Sequence, residues 1–390
     1  QELLYEKAKI SMENQNWIAL IDSYKQLYLL NFNIDILDRI LEVAKATNKL
    51  EYAYLCLLNI SKNNDSIRII EILAQISYIL GDYENCIEHL IFLKKIPEKQ
   101  NSASFFLGSI FLNQKNFSDA IENFDIVYNN DDISFDLLRN MLICYSSLNN
   151  FEKENQIAKE MVERFPENTK GYEALALSYL LNSKYIESID VLRKAINLFN
   201  NEFIFYYYLG MAFQELNNYS SSLDSFQKAL SIKQDSNLIR KSIAMIYEKN
   251  GVYIKSDSLF MKIISSDSEN PMDMNDYAYL ISERDNISHS KLEFALDLAN
   301  KALKLEPENP MVLDTVGWIH YQIGNYSKAI QFIQESINYG GDDVVILDHL
   351  GDVFIKLNNI DSAIASYRKA LQKDPENDEI LKKINFLINE

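Results

Sequence analysis

The residues that most often carry chemistry are few in this sequence, and their spacing matches no metal-binding pattern. The chain of 390 residues contains four histidines and three cysteines. None of them stands in an HExxH or CxxC arrangement, the spacings that bring metal ligands together on one helix or one tight loop. We therefore predict no metal site. The residues concerned are His89, His289, His320, His349, Cys56, Cys86 and Cys144.

Motifs for covalent catalysis and phosphate binding are missing as well. The sequence has no GxSxG nucleophile turn, no GxGxxG dinucleotide loop and no GxxxxGK[ST] phosphate loop. The three cysteines lie in apolar segments of helical spacing, where a thiol behaves as a small hydrophobic group, so we expect them in the core. These observations predict a protein that is not an enzyme, has no catalytic residue and takes no cofactor.

The net charge of the chain argues against some classes of binding partner. The 56 acidic side chains outnumber the 38 basic ones, for a formal net charge of -18. Such a surface repels phosphate backbones and anionic lipid, so we predict no nucleic-acid partner. Two interpretations of the excess remain open, a solvated surface or a surface for a basic partner. No run of 18 apolar residues occurs, so no membrane span is predicted.

Small or slim residues recur along the chain with a nearly constant period. Read toward the N-terminus, the steps are 34, 39, six of 34, and then 33 and 33 residues. One period repeated eleven times indicates a repeat array in which each unit contacts mainly its neighbours. We call this column the phase position; it consists of Gly351, Gly317, Ala278, Ala244, Gly210, Ala176, Leu142, Gly108, Ala74, Leu41 and Ala8.

Other columns share this period and predict two helices of about 13 residues joined by a tight turn. Seven residues after the phase position stand Gly81, Gly251, Gly324, Asn149, Asn217 and Asn358, which tolerate a left-handed conformation. Nine residues after it, aromatic residues such as Tyr83, Phe151 and Tyr253 are expected to fill the wedge between the helices. Twelve residues after it the side chains are small again, among them Cys86, Ala120, Ser188, Ser222 and Ser256.

This pattern resembles the tetratricopeptide-repeat (TPR) family, most clearly in LDTVGWIHYQIGNYSKAI and HLGDVFIKLNNIDSAIASYRKALQKDPEN. The resemblance implies an all-α, right-handed superhelical solenoid of about eleven helix-turn-helix repeats over residues 1–377. Residues 378–390 are predicted to be a C-terminal capping helix. Repeat 9 has five extra residues near 283–294. They are either an insertion that the fold tolerates without a function or a binding element.

The resemblance also implies where partners bind, because first helices line the concave face of such solenoids. The residue after the phase position is apolar from Ile143 to Trp318 and polar in the N-terminal third. We predict that a peptide segment or helix of a partner protein binds there; the alternative is that the same side chains only pack between repeats. The predicted groove residues are Tyr207, Met211, Met245, Met272, Tyr279, Met311, Trp318 and Tyr321.

Residues 270–375 resemble the C-terminal half of bacterial envelope TPR lipoproteins. That resemblance implies a non-catalytic scaffold or adaptor in a cell-envelope assembly, periplasmic and associated with the outer membrane. A lipid anchor or a partner in a membrane complex would hold it there; a cytoplasmic location is the alternative. An adaptor that delivers substrates to a periplasmic carboxyl-terminal processing protease is a second interpretation. The start at Gln1 fits an exported, processed protein, although the lipid-bearing Cys of those relatives is not in the sequence.

Overall fold

The computed structural model describes residues 1–64, 66–266 and 270–389. These residues form 23 α-helices and no β-strand, and consecutive helices pack together as eleven pairs followed by one last helix. The predicted all-α fold of helix-turn-helix repeats with a final helix is therefore confirmed. No helix in these ranges is both long enough and apolar enough to cross a membrane.

The chain divides into two compact units, Gln1–Asn200 and Asn201–Glu390. The first unit contains six helix pairs, with a single 3-10 turn at Pro97–Lys99 before α7. Its helices are α1 Glu2–Glu13, α2 Trp17–Asn31, α3 Ile34–Thr47, α4 Leu50–Ser61, α5 Ile67–Leu80, α6 Tyr83–Lys94, α7 Gln100–Asn113, α8 Phe117–Asn129, α9 Phe135–Ser147, α10 Phe151–Arg164, α11 Thr169–Leu181 and α12 Tyr185–Leu198.

The second unit contains five pairs and the last helix. Its helices are α13 Phe203–Glu215, α14 Tyr219–Ile232, α15 Asn237–Lys249, α16 Tyr253–Ser266, α17 Pro271–Ser282, α18 His289–Leu305, α19 Pro310–Ile323, α20 Tyr326–Asn338, α21 Val344–Lys356, α22 Ile360–Lys373 and α23 Asp378–Asn389. Helix α23 buries Ile380 and Ile384 against the α22 residues Tyr367 and Ala370. Glu390, the last residue of the predicted cap, lies outside the described residues.

The turn inside each pair has the same backbone in almost every repeat. All six Gly and Asn residues predicted to be left-handed have positive φ, between 54° at Asn149 and 91° at Gly324. Gln15, Lys115 and Ser183 have positive φ at the same position although nothing in their side chains favours it. The next residue is commonly Asn or Asp, whose side chain accepts a hydrogen bond from the first turn of the second helix.

The phase position is where the two helices of a pair come closest, and a bulky side chain sixteen residues later covers it. A Cβ added to Gly108, Gly210 or Gly351 would lie 2.5, 2.6 or 2.2 Å from a ring atom of Phe124, Phe226 or Tyr367, respectively. Contrary to the prediction, the aromatic nine residues after the phase position does not fill this wedge in three of the repeats, although Phe117 and Tyr219 of the same column pack against buried clusters. Tyr83, Phe151 and Tyr253 are 43%, 42% and 36% exposed, because they begin the second helix and lie at its solvent end.

The small residue twelve positions after the phase position is buried, as predicted, and in three repeats it also links the helices. Ser222 Oγ donates to the carbonyl oxygen of Gly210 at 2.6 Å, and Ser188 Oγ donates to that of Ala176 at 3.0 Å. Cys86 makes the same contact through its thiol, at 3.3 Å. The sequence indicated only the size of these side chains, whereas the structure adds a buried hydrogen bond between the two helices of the repeat.

Ser222→Ala should lower the free energy of unfolding by about 1 kcal/mol, because it removes a buried interhelical hydrogen bond at little change in volume. Ser225→Ala in the same helix is the matched control, since Ser225 Oγ donates only to the carbonyl of Ser221 one turn earlier. Urea denaturation followed by circular dichroism compares the two variants. Equal effects would contradict a stabilising role for the interhelical bond.

In repeat 9, α17 ends at Ser282 and α18 begins at His289, a link of six residues. Arg284 in this link is buried, with its side chain only 4% exposed. Its guanidinium forms ion pairs with Glu248 at the end of α15 and with Asp257 of α16, the latter at 2.7 Å. It also lies over the ring of Tyr253, 4.6 Å from the centroid. The ion pairs of Arg284 therefore connect this link of repeat 9 to both helices of repeat 8.

Candidate partner-binding face

The eight predicted groove residues all lie on first helices of pairs in the second unit. Tyr207 and Met211 are on α13, Met245 on α15, Met272 and Tyr279 on α17, and Met311, Trp318 and Tyr321 on α19. Helix α17 packs against α19, and α19 against α21, so first helices of successive repeats lie side by side. Residues three or four apart share one face of a helix, so Tyr207 and Met211 share a face of α13, and Trp318 and Tyr321 share a face of α19.

Accessibility differs strongly among the eight residues. Met311 is 52% exposed and Met245 is 36% exposed, so both offer apolar surface to a partner. Trp318 is only 8% exposed. The remaining five side chains are half-buried. Trp318 therefore packs between repeats, and partner binding stays a prediction for the more exposed residues.

Trp318 is held in a stack of three rings. Its indole lies parallel to the ring of Tyr321, with centroids 4.7 Å apart, and parallel to the imidazole of His349, 3.9 Å apart. Both faces of the indole are therefore covered, and its Nε1 donates to Glu283 Oε1 at 2.6 Å. The ring of Tyr279 adjoins the stack, 6.1 Å from the imidazole of His349. Trp318 therefore packs between Tyr321 of its own helix and His349 of the next repeat. Tyr279 lies at the edge of this stack, beside His349.

Carboxylates surround this stack. Asp314, one turn before Trp318 on α19, contacts Nδ1 of His349 at 2.9 Å. Asp348 and Asp352 on α21 both accept from Nζ of Lys383 in α23, at 2.8–2.9 Å. We call this surface the aromatic–acid face; it consists of Tyr279, Trp318, Tyr321, His349, Glu283, Asp314, Asp348 and Asp352.

The ionisable groups respond to burial and to this negative charge. Burial, with added repulsion from Asp352 and Asp348, raises the pKa of Tyr321 to about 12. The pKa of Tyr279 rises for the same reason, through burial and then through the nearby carboxylates, Glu283 first among them. Burial also raises the pKa of Asp348 even though Lys383 lies beside it. Burial is thus the main cause of these shifts, and the nearby carboxylates add to it for both tyrosines.

Three of the predicted groove residues belong to other contacts. Tyr207 and Met211 pack against a buried cluster that includes Phe226 and Ile243. Met272 packs beside Met274 in another cluster, and its sulfur accepts from the amide of Asn309 at 3.7 Å. The structure thus brings Tyr279, Trp318 and Tyr321 together, and it places Tyr207, Met211 and Met272 half-buried against other clusters.

Several residues of the face were missed by the sequence analysis. Asp314 and Asp348 stand one helical turn before Trp318 and Asp352, so the i,i+4 rule could have placed them on the same face. No metal site was predicted at His349, but the sequence did not place it near Trp318 or identify Asp314 as its partner. Across the described ranges, no three His, Cys, Asp or Glu side chains gather as a metal ion would require.

The cysteines are buried, as predicted. Cys56, Cys86 and Cys144 are all free thiols. Burial raises the pKa of Cys86 and of Cys144 to about 11, which keeps both thiols protonated and unreactive at neutral pH.

Two family models match stretches of the second unit. A model described as "Tetratricopeptide repeat" matches residues 205–236, which lie in α13, α14 and the start of the next link. A model described as "TPR repeat" matches residues 351–384, from the phase position of the eleventh repeat into α23.

The chain is also similar to two curated proteins over about a quarter of its length. It is 30% identical over 89 residues to the TPR repeat-containing protein PA4667 of Pseudomonas aeruginosa, covering 23% of this chain and 14% of that protein. It is 26% identical over 97 residues to BBSome complex member BBS4 of Bos taurus, covering 25% of this chain and 18% of that protein. Each match spans less than a fifth of the relative's length.

Solved structures agree with the fold. The chain superposes on yeast Tom70 with a TM-score of 0.54 at 14% identity, covering 99% of this chain and 94% of that one. It superposes on a tetratricopeptide repeat protein from Parabacteroides merdae with a TM-score of 0.56 at 12% identity, covering 65% of this chain and 98% of that one. At such identities the likeness concerns the fold alone.

Proposed function

This chain is a tetratricopeptide-repeat protein, and we propose that it is a non-catalytic scaffold or adaptor that binds a segment of a partner protein on the first helices of its second unit. Proteins built from these repeats generally act through protein–protein contacts. The observation that carries the proposal is the exposed apolar surface of Met245 on α15 and of Met311 on α19, two of the predicted groove residues. Methionine adapts its shape to a partner, and exposed apolar surface is typical of binding sites.

Photo-cross-linking tests this proposal without a search for the partner's identity. A photoreactive phenylalanine analogue placed at Met245 or at Met311 should cross-link a discrete partner in cells that make this protein. The matched control is Ile254, a side chain of a second helix that is 86% exposed. Cross-links of equal yield from Ile254, or from Ile254 alone, would contradict binding on the first helices.

Substitution at Met311 is the better companion test. Replacing Trp318 would remove the central ring of the stack and disturb packing, whereas Met311 is half-exposed and contributes little to the core. Met311→Ser should weaken capture of the cross-linked partner while circular dichroism and the unfolding midpoint remain those of the parent protein. Unchanged capture would place the contact elsewhere on the solenoid.

We further propose that the partner belongs to a bacterial cell-envelope assembly, with a periplasmic location at the outer membrane; delivery of substrates to a carboxyl-terminal processing protease is the alternative role. The resemblance of residues 270–375 to envelope TPR lipoproteins supports this proposal. Fractionation of the native host, with blotting of periplasm, outer membrane and cytoplasm, tests the location. Recovery in the cytoplasm alone would exclude both envelope roles.

A further inference from the structure

The aromatic–acid face carries more negative charge than its own bases neutralise. Four carboxylates lie on it. Within the described ranges, Lys383 pairs with Asp348 and Asp352, and His349 pairs with Asp314. Glu283 accepts from the uncharged indole of Trp318. Because the carboxylates outnumber the bases paired with them, an approaching positive charge is favoured by Coulomb attraction, and partial burial lessens screening by salt.

Two tyrosine rings and one amide add groups suited to a cation. Tyr279 and Tyr321 are half-buried, and neither hydroxyl has a hydrogen-bond partner among the described residues. Asn275 stands one turn before Tyr279 on the same face of α17 and is 4% exposed. Its Oδ1 is buried and has no hydrogen-bond donor in the described part of the chain. A buried acceptor without a donor is unfavourable, and a ligand N–H group would satisfy it.

From these contacts we propose that the aromatic–acid face takes a segment rich in lysine and arginine, whose cationic side chains lie against Tyr279 and Tyr321. Ammonium and guanidinium groups bind aromatic ring faces and carboxylates together, and guanidinium does so with a planar fork of donors. Acidic segments are excluded by repulsion from the same carboxylates. The proposal rests on the proposed function, because it names the chemistry of the partner segment at that site.

Three synthetic peptides test the charge requirement on the full chain. One is an amphipathic peptide with Lys and Arg on one face and Leu on the other; the second has Gln at every Lys and Arg, and the third has Glu there. Fluorescence anisotropy at physiological salt should give the basic peptide at least about tenfold higher affinity than the Gln peptide, with no binding of the Glu peptide.

Paired variants locate the binding, since a chain with a net charge of -18 attracts basic peptides everywhere. The double variant Glu283→Gln, Asp314→Asn keeps the shapes of both side chains and their hydrogen bonds. It should lower the affinity for the basic peptide on the order of tenfold. The control pair is Asp224→Asn with Glu376→Gln, two exposed acids that remove the same formal charge. The control should change the affinity less than about twofold.

Lys383→Gln should act in the opposite direction. It releases the carboxylates of Asp348 and Asp352 from their own base, so the basic peptide should bind several-fold more tightly. A variant that merely disturbed the packing of α23 would weaken binding instead, and Trp318 fluorescence checks that the stack is intact.

The results of these experiments distinguish the proposed charge requirement from the proposed function on which it rests. Equal binding of the basic and Gln peptides, lost with Met311→Ser, would overturn the charge requirement and leave a protein-binding groove. Equal weakening by the two acid pairs would overturn the location, because the attraction would then belong to the whole surface. If no peptide binds and no cross-link forms at Met245 or Met311, the proposed function fails as well.

Discussion

Replacing Arg284 with Ala should lower the free energy of unfolding of the second unit by about 3–5 kcal/mol, as is typical when one partner of a buried ion network is removed. The guanidinium donates to Glu248 from Nε at 3.1 Å and to Asp257 from Nη2 at 2.7 Å. Without it, Glu248 keeps a carboxylate that is 9% exposed and has lost its cation. Asp257 is less affected, because Lys291 still contacts it at 2.9 Å.

The pKa shifts agree with this assignment. Burial alone would lower the pKa of Arg284, but the hydrogen bonds that it donates to Glu248 and Asp257 outweigh burial and raise the pKa. Burial would likewise raise the pKa of Asp257, yet bonds from Arg284 and Lys291 lower it. A carboxyl whose pKa is lower in the folded state stabilises the protein above its unfolded pKa. That contribution is lost as the pH falls through the folded pKa, so the network weakens in acid.

The experiment uses a Trp17→Phe background, because the chain has two tryptophans and Trp318 then reports on the second unit alone. Urea denaturation followed by Trp318 emission gives the unfolding midpoint. The matched control is Arg164→Ala, because Arg164 is itself 45% exposed where it pairs with Asp131 and Glu160, so the change there should stay within about 1 kcal/mol. A similar loss in both variants, with Arg164→Ala measured by circular dichroism, would contradict a special role for burial.

A compensating variant separates the network from local damage. Arg284→Met combined with Glu248→Gln removes opposite charges together and should recover part of the stability lost in Arg284→Ala. If the combined variant recovers no stability, the stranded carboxylate of Glu248 does not account for the loss in Arg284→Ala.

The sequence predicts the repeats well because the features that define them are local and periodic. A small residue at the phase position and Gly or Asn seven residues later determine where each pair approaches and turns. Even Leu142, which is not small, fits once its partner is known: the residue sixteen positions later is Ala158, and Leu142 packs against the buried cluster that contains it. In repeat 5 the larger side chain therefore stands on the first helix and the smaller one on the second, which a single column does not reveal.

The site is less predictable because its contacts join residues about 35 positions apart. Trp318 follows the phase position directly, so it was predicted to face a partner, yet the imidazole of His349 from the next repeat covers one of its faces. The tilt of α21 against α19 decides that contact, and no local pattern encodes it. Arg284 lies in the stretch where the period fails, so the repeat gives no information about its surroundings.

The second prediction of large effect concerns the phase position, where the two helices of a pair come closest. Gly108→Leu should lower the free energy of unfolding by about 2–3 kcal/mol, because Phe124, which is fully buried, already occupies the space that a Cβ would take. Phe124→Ala should lower it by about 3–5 kcal/mol through the cavity that it leaves. Urea denaturation followed by circular dichroism measures both.

Combining the two changes recreates in repeat 4 the arrangement that repeat 5 has naturally, a leucine at the phase position and an alanine sixteen residues later. The loss in the double variant should therefore be smaller than the sum of the two single losses by at least about 1 kcal/mol. Gly108→Leu combined with Phe226→Ala, a ring in the other unit, is the matched control and should be additive within about 0.5 kcal/mol. If the losses are additive in both pairs, a larger side chain at position 108 does not compensate for the ring removed at position 124. The distance between the two helices would then be set by other contacts in the repeat.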